Sequence, residues 1–521
     1  MLKTPDLERI ERQVLLLISI LLVVALYLNL GIYPLTLEEP RRGLIALEML
    51  FSENWLVPTQ NGELYFRKPP VYNWVLIFSY KIFGSYSELA TRFFSVASFV
   101  LMGIVFFRFC KRHVNERFAA YSVLFFLVSA DILFYFSALG EIDLFYSLIT
   151  LMVFIVIYDF GEKKQYYSLF LIAYFLSAIG FLTKGLPSIP FLVISLLAYF
   201  IYKRNFKKLI SLAHFIGITL FFALVGGYFW AYSAYEDPSG WWTTLTSEST
   251  DRTTNTGVVD LLKHLFAFPI DTIKNILPAG FFLPLLFRKK MISAIRKHPF
   301  ILYLSIIFTA NILIYWFSTG AQSRYVYALY PPLIGVITYF ILNSDLKWRD
   351  RLIKIVAITV AVITLLANLA LNFIPDLEIV SYLLLKSVVL VLITIFILRV
   401  IIKRSELRLA MIIACFVLLR YDFSFIMPVS RALTSDAAED KRIAMDINEI
   451  TQGVAVHIYN DTQISRSTTF YVEADKEAVL KRKFVLSKGD FWICSPEDIS
   501  NQNVEVFKTF KYHDSEVLLV K

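Results

Sequence analysis

The sequence predicts a mostly α-helical membrane protein: a polytopic bundle of about thirteen transmembrane helices followed by a small α/β domain. Three observations support this prediction. Of the 521 residues, 57% are hydrophobic and 16% are aromatic, well above the usual composition of a soluble domain. Apolar runs of roughly 18 residues or more, enough to cross about 30 Å of hydrocarbon, recur along the chain. From about Pro428 onward the sequence becomes mixed and charged.

Lysine and arginine residues cluster in seven short segments, at 3–12, 108–117, 163–164, 203–208, 288–297, 347–354 and 399–408. Such clusters mark the cytoplasmic side of a membrane protein. Topology therefore accounts for the net charge of +9, and we expect no nucleic-acid partner. Pairing the spans between clusters places the N-terminus inside and the C-terminus outside. The predicted spans cover 13–33, 88–108, 118–136, 142–160, 166–183, 187–202, 209–231, 271–288, 299–318, 325–343, 355–374, 381–402 and 408–427.

Two connections on the predicted outer face, 34–87 and 232–270, are too long to be ordinary loops. Loops of this length in a compact protein are usually functional. Within the first, residues 42–51 and 71–83 have apolar residues at helical spacing, which predicts two helices lying along the membrane surface. We assign both loops to a transmembrane domain.

The transmembrane domain is expected to cover residues 1–430, and a soluble α/β domain on the outer face is expected to cover 431–521. The stretch AAEDKRIAMDINEIT predicts a helix at the start of the second domain. Alternating apolar residues predict strands in VAVHIYN, STTFYVE, KFVLS, DFWICS and EVLLVK.

Three carboxylates, Glu38, Glu39 and Asp143, lie at the predicted outer edge of the membrane. Ionisable groups are costly there and commonly mark a reaction site. A carboxylate in this position can act as a general base and take a proton from an acceptor hydroxyl. The alternative is that Asp143 caps a helix and that the two glutamates are simply solvated. The residues alone leave both interpretations open.

Four cations occupy four different outer loops: Lys68, Lys184, Arg252 and Arg324. Cationic side chains that converge at a membrane surface suit a phosphate or pyrophosphate, because Arg offers a bidentate fork and Lys a point charge. The alternative is that they extend to lipid headgroups, although such residues should favour the cytoplasmic side. The chain has no phosphate-binding loop of the P-loop type, which argues against a nucleotide-driven pump.

The stretch E-E-P-R-R-G, followed by N-W-L-V-P and Y-F-R-K-P-P, resembles the first outer loop of bacterial aminoarabinose transferases that act on lipid A. It also resembles their wider relatives, the polyprenyl-phosphate-sugar glycosyltransferases related to protein O-mannosyltransferases. The resemblance covers about residues 10–345 and implies the GT-C fold. Three later segments also match the family: GEIDLFYSLITL, GFLTKGLPSIP and FSTGAQSRYVYALYPPL. A fourth, SESTDR, matches more loosely.

The resemblance implies roles for individual residues. Glu38 occupies the position of the family's first acidic residue, Glu39 follows it, and Asp143 matches the second functional acid. The positions that hold the lipid-linked phosphate match Lys68, Arg252 and Tyr325. With Lys184 and Arg324, these form the predicted phosphate-binding set.

Two positions depart from the family pattern. The family usually has Asp-Glu where this chain has Glu38-Glu39, and commonly has Glu where this chain has Arg67. The second change removes a metal ligand or adds a phosphate contact. The three cysteines lie far apart and the histidines have no metal-ligand spacing, so the sequence leaves the participation of a divalent metal open.

We therefore expect a multi-pass glycosyltransferase of the cytoplasmic membrane, surrounded by membrane lipids, with its active site and C-terminal domain on the periplasmic side. It would move a sugar from a polyprenyl (undecaprenyl) phosphate donor to a lipid, glycan or protein acceptor, such as lipid A, by single displacement. One alternative is a protein O-glycosyltransferase of the same fold. Another is a lipid or sugar transporter, but transporters place charges near mid-membrane and often have repeated halves, which this chain lacks.

Overall fold

The computed structural model describes residues 8–244, 247, 257–287, 291–375, 377, 380–500, 502, 504–512 and 515–521. Helices dominate it, as predicted. The helices before the C-terminal unit are α1 (Arg9–Tyr27), α2 (Glu39–Phe51), α3 (Val71–Phe83), α4 (Glu88–His113), α5 (Glu116–Leu127), α6 (Ala130–Phe134), α7 (Ile142–Glu162), α8 (Tyr166–Lys184), α9 (Ser188–Tyr202), α10 (Leu212–Tyr232), α11 (Val258–Asn275), α12 (Met291–Arg296), α13 (Pro299–Trp316), α14 (Tyr330–Asn343), α15 (Arg349–Ala370), α16 (Leu383–Lys403) and α17 (Arg408–Thr434).

Within the described residues, ten helices are long and apolar enough to cross a membrane. An eleventh span results if α5 and the helical segment that follows it, bent by 49°, count as one broken span. Helix α9 is apolar but only 15 residues long. The protein is therefore a multi-span membrane protein, and these segments match every predicted span except 271–288.

The prediction of a span over 271–288 is wrong for the residues that the structure describes there. Helix α11 ends at Asn275, and a separate 3₁₀ helix, Ala279–Leu286, follows it. Pro278 and Pro284 lie in this stretch, and proline removes a backbone donor and clashes with the preceding turn of an α-helix. The run is apolar enough for a membrane, but it cannot form one continuous helix.

The two helices predicted within the first outer loop are confirmed as α2 and α3. A small antiparallel hairpin of β1 (Thr59–Gln60) and β2 (Glu63–Leu64) lies between them. Every residue of α2 from Glu39 to Met49 is buried, because the helix is enclosed between the bundle and the C-terminal unit. At Gly43 an added Cβ would come within 2.6 Å of the Phe470 ring. Glycine at position 43 therefore allows helix α2 and the C-terminal unit to pack closely.

The C-terminal unit combines helices with one five-stranded sheet of order β4-β3-β5-β7-β6. Strands β4, β3 and β5 are parallel, whereas β5, β7 and β6 are antiparallel. The predicted small α/β unit is confirmed. Its elements are α18 (Asp436–Thr451), β3 (Val456–Tyr459), α19 (Arg466–Lys476), β4 (Arg482–Lys483), β5 (Phe491–Cys494), α20 (Pro496–Ile499), β6 (Val506–Tyr512) and β7 (Ser515–Val520).

Two of the strand predictions in this unit differ from the structure. STTFYVE is not a strand but part of helix α19, and only Lys483 of KFVLS lies in a strand, β4. Strand β6 was not predicted. Ser465 caps α19 by accepting a hydrogen bond from the Ser467 N–H, and Thr469, Phe470 and Glu473 share one buried face. A helical face explains the same apolar positions as strand alternation does. Strand β6 is mostly exposed and lies at the sheet edge, so its apolar pattern is weak.

Candidate active site

A charged cavity of about 270 Å³ lies where four segments distant in sequence meet. The segments come from the first outer loop, the start of α7, the α8–α9 connection and the region between α13 and α14. Six of the predicted site residues line this cavity: Glu38, Lys68, Asp143, Lys184, Arg324 and Tyr325. The other lining residues are Arg41, Arg42, Tyr65, Arg67, Glu141, Ile142, Tyr146, Leu186, Pro187 and Tyr315.

Lys184 and Asp143 form a buried ion pair in the cavity wall. The distance between Lys184 Nζ and Asp143 Oδ1 is 2.6 Å, and the two side chains are 8% and 4% exposed. The ammonium also lies 4.9 Å from the ring centres of both Tyr146 and Tyr325. Asp143 sits in the first turn of α7, after the N-cap residue Glu141, so it pairs with a cation rather than capping the helix.

Helix α2 contributes a second ion pair and much positive charge to the cavity. Arg41 Nη1 lies 2.7 Å from Glu38 Oε2, and Arg42 donates a hydrogen bond of 3.3 Å to Tyr65 Oη. In the described structure the Nε atoms of Arg41 and Arg42 are buried and have no hydrogen-bond partner. Buried donors without a partner are costly, so this wall suits an anion that would satisfy them.

Glu39, predicted to be catalytic, lies outside the lining of the cavity. It is fully buried, with its Oε1 atom 2.7 Å from Arg92 Nε, and it accepts a hydrogen bond of 2.6 Å from the Gly140 N–H. Arg92 also donates to the backbone carbonyls of Leu30, Tyr33 and Pro34. This network ties the first outer loop to α4 and to the approach to α7. Glu39 thus lies in a buried network behind the cavity and not in its lining.

Glu141 lines the cavity but was not among the predicted site residues. Its side chain is almost fully buried, and among the described residues its carboxyl has no hydrogen bond or ion pair. Burial raises its pKa to about 7; Arg42 lowers the pKa and Asp143 raises it. The sequence offered one signal, since Glu141 stands two residues before Asp143 in the same motif. Its burial and its lack of a partner depend on the fold.

The remaining predicted cations are placed differently. Lys68 lines the cavity and donates a hydrogen bond of 3.0 Å to the Arg67 carbonyl. Arg67, which stands where relatives commonly have Glu, lines the cavity as well. The guanidinium of Arg324 lies 5.8 Å from the ring centre of Tyr325. Arg252 lies outside the described residues.

Among the residues that the structure describes, no group of three or more His, Cys, Asp or Glu residues is arranged to hold a metal ion. Two of the cavity carboxylates, Glu38 and Asp143, are instead engaged by cations.

The chain is similar to several known proteins. The dolichyl-phosphate-mannose-protein mannosyltransferase family model matches residues 67–230. An uncharacterised protein of Aquifex aeolicus is 29% identical over 41% of this chain and 42% of its own length. The undecaprenyl phosphate-alpha-4-amino-4-deoxy-L-arabinose arabinosyl transferase 1 of Proteus mirabilis is 26% identical over 60% of this chain and 56% of its own length. The chain thus spans about half the length of these relatives.

The crystal structure of ArnT from Cupriavidus metallidurans bound to undecaprenyl phosphate has the same fold. The two chains superpose with a TM-score of 0.70 at 18% sequence identity, and the match covers 97% of each. The apo form of that ArnT gives a TM-score of 0.68. The chain is therefore similar over part of its length to polyprenyl-phosphate sugar transferases, and it shares the fold of ArnT.

Proposed function

We propose that the protein is a membrane glycosyltransferase that moves a sugar from a polyprenyl phosphate, specifically undecaprenyl phosphate, to an extracytoplasmic acceptor such as lipid A. The observation that carries this proposal is one cavity in which cations for a phosphate and carboxylates for proton transfer meet. The donor class is supported by the relatives named as undecaprenyl phosphate sugar transferases.

The cations would stabilise the leaving phosphate. Sugar transfer breaks the bond between the anomeric carbon and a phosphate oxygen, so negative charge grows on the phosphate as it leaves with the electron pair. Positive groups fixed where charge develops lower the barrier without reorganisation during the reaction. We assign this role to Lys68, Lys184 and Arg324, joined by Arg252, and we assign to Tyr325 a neutral contact with the same phosphate.

A carboxylate would receive the proton of the acceptor. Glu38 and Asp143 are held by Arg41 and Lys184, whereas Glu141 faces the cavity and has no such partner among the described residues. A general base works best when its pKa is near the working pH, and the pKa of Glu141 is about 7. Glu141 would therefore take the proton from an acceptor hydroxyl, while Glu38 and Asp143 orient the cations. Attack from the face opposite the phosphate gives single displacement with inversion.

The basic clusters support an orientation for this chemistry. They favour a location of the active-site cavity and the C-terminal unit on the periplasmic side of the cytoplasmic membrane. In this arrangement residues 1–430 form the transmembrane domain with both outer loops, and residues 431–521 form the periplasmic domain. A lipid-linked donor suits that face, because it carries an activated sugar where no nucleotide sugar is available.

Mass spectrometry of lipid A and of total envelope glycans, from cells with and without the gene, tests the proposal. We expect the loss of a mass corresponding to one sugar on lipid A. Unchanged lipid A with altered glycoproteins would favour the protein O-glycosyltransferase, an alternative supported by the matched mannosyltransferase family model. No change in any of these molecules, in cells that make the protein, would contradict sugar transfer and favour transport.

A further inference from the structure

A second charged cavity, of about 340 Å³, lies at the far ends of the helices that frame the active site. Helix α4 starts at Glu88, which pairs with Lys441 of the C-terminal unit. It ends at His113, and α5 begins just after it, beside the second cavity. Helix α14 runs from the Arg324 side to Ile341 in the cavity wall. The second cavity is therefore separated from the first by the length of the bundle.

Three arginines from distant segments line this cavity: Arg117, Arg349 and Arg408. Arg117 Nη2 lies 3.1 Å from Glu11 Oε1, and Arg349 Nη2 lies 2.8 Å from Asp350 Oδ1. Arg408 donates from Nε to the Ile401 carbonyl at 3.0 Å, and within the described part of the chain it has no ion pair.

Two carboxylates also line the cavity, and each has a cationic partner. Asp350 pairs with Arg349, and Glu406 lies 3.4 Å from Arg404. Among the charged residues that line the cavity, Arg408 therefore has no counterion in the described structure. The cavity carries an uncompensated positive charge and favours an anion.

The backbone adds donors at the same place. Helix α15 starts in the cavity wall at Arg349 and has no side-chain cap in the described structure, whereas α17 continues a 3₁₀ turn in which the Ser405 carbonyl accepts the Arg408 N–H. The first N–H groups of a helix have no intrahelical acceptor and attract anions. These donors supplement the arginines.

The rest of the lining is apolar: Ile341, Leu342, Ile353 and Leu409. Farther along α15, Ile355 and Val362 are exposed on a membrane-spanning helix and so face lipid. The cavity also joins three of the seven basic clusters, those at 108–117, 347–354 and 399–408. These clusters mark the predicted cytoplasmic side, where membranes carry their anionic lipids.

We propose that this cavity binds the phosphate of a glycerophospholipid headgroup from the cytoplasmic leaflet. Arg408 makes the principal contact, Arg349 and the uncapped start of α15 flank the phosphate, and the glycerol and upper acyl chains lie along Ile341 and Ile353. This site is independent of sugar transfer and of the active-site cavity. It fixes the relative positions of α5, α15 and α17 at their membrane ends.

Native mass spectrometry of the full-length protein tests the site, after incubation with micelles containing phosphatidylglycerol and phosphatidylcholine. We expect Arg408→Gln to retain roughly fivefold less phosphatidylglycerol than the wild type, since one cation near a membrane surface contributes about that factor. Arg351→Gln is the matched control, because Arg351 belongs to the same basic cluster but is exposed and outside the lining. Arg408→Lys keeps the charge and should retain most of the lipid.

Two results would overturn the proposal. Equal retention by the wild type and Arg408→Gln, both monodisperse by size exclusion, would remove the site. Displacement of the lipid by millimolar inorganic phosphate would show that the ligand is a soluble anion and not a headgroup. Retention that depends on Arg408 and resists phosphate supports the lipid site.

Discussion

The ion pair between Lys184 and Asp143 gives the sharpest test at the residue scale. Removing one member of a buried pair leaves a charge without compensation and costs about 3–5 kcal/mol. We expect Lys184→Met to lose sugar transfer and to lower the thermal stability of the purified protein. The double variant Lys184→Met with Asp143→Asn should recover stability but not transfer, because the cation is still missing.

Exposed Lys163 provides the control, since its replacement by Met removes the same charge from the loop after α7. Transfer at the wild-type rate by Lys184→Met would exclude Lys184 from the reaction.

A second residue-scale prediction concerns Glu141. A general base must be deprotonated to act, so the wild-type transfer rate should rise as pH increases through about 7, the pKa of Glu141. Glu141→Gln should lose transfer to a hydroxyl acceptor, and Glu141→Asp should keep part of it with a shifted profile. The measurement is the initial rate at a series of pH values from about 5.5 to 8.5. An unchanged profile in Glu141→Gln would assign the base elsewhere.

The site was only partly predictable from single residues. Charged groups in the outer loops were visible as costly residues at a membrane edge, which is why Glu38, Lys68 and Lys184 could be named. Glu39 has the same appearance in sequence, but its buried contact with Arg92 arises only from the fold. Whether a carboxylate faces a cavity or a buried arginine is a tertiary property.

At the scale of elements, the contact between α2 and α19 contains two buried carboxyl groups. Burial raises the pKa of Glu48 from 4.5 to about 7, although Thr59, Gly62 and Asn61 donate hydrogen bonds to it. Burial and the neighbouring Glu48 raise the pKa of Glu473, whose Oε2 atom has no hydrogen-bond partner in the described structure. Both groups therefore favour the protonated form when the contact is made.

The sign of the pH effect follows from these shifts. A carboxyl group whose pKa is raised on folding contributes stability at acid pH and loses it as pH rises through the folded-state pKa. Docking of the C-terminal unit should thus weaken between pH 4.5 and about 7. The protection factors of α19 amides, which correct for the intrinsic pH dependence of hydrogen exchange, should be lower at pH 8 than at pH 5.5, and Glu473→Gln should flatten the difference. Exposed Asp475→Asn is the control, and an equal response in both variants would refute this account.

The close approach at Gly43 yields a prediction at the same scale. Gly43→Ala would place a methyl group against the Phe470 ring, and overpacking of a tight contact costs about 1–3 kcal/mol. Gly226→Ala is the matched control, because a Cβ there meets no described atom within 4 Å. We expect a lower melting temperature for Gly43→Ala only, with recovery in the double variant carrying Phe470→Leu. Equal melting temperatures would show that the contact is loose.

Helices and strands could be predicted where the pattern of apolar residues is compatible with one type of secondary structure only. Apolar spacing identified α2 and α3, and length identified most membrane spans. It did not identify the α19 helix, because Thr and aromatic residues in STTFYVE suggest a strand until burial against α2 is known. Hydropathy likewise could not show that Pro278 and Pro284 interrupt the apolar run at 271–287.

At the scale of the whole molecule, the bundle has different chemistry at its two ends. One end carries the cavity proposed for sugar transfer, enclosed by the first outer loop beneath the C-terminal unit, and the other carries the arginine-lined cavity. The basic clusters predict which end of the bundle carries the arginines, because lysines and arginines are retained on the cytoplasmic side during insertion. The packing of the C-terminal unit on α2 could not be predicted, since it joins segments more than 400 residues apart.

That distance along the chain has a consequence for biosynthesis. Helix α2 leaves the ribosome early, but the helix that covers it, α19, is among the last segments made. At 5–20 residues per second, roughly 20 to 80 s pass between the two. During that interval the first outer loop lacks its cover. An interrupted chain would therefore carry the residues that line the active-site cavity but leave helix α2 without its cover.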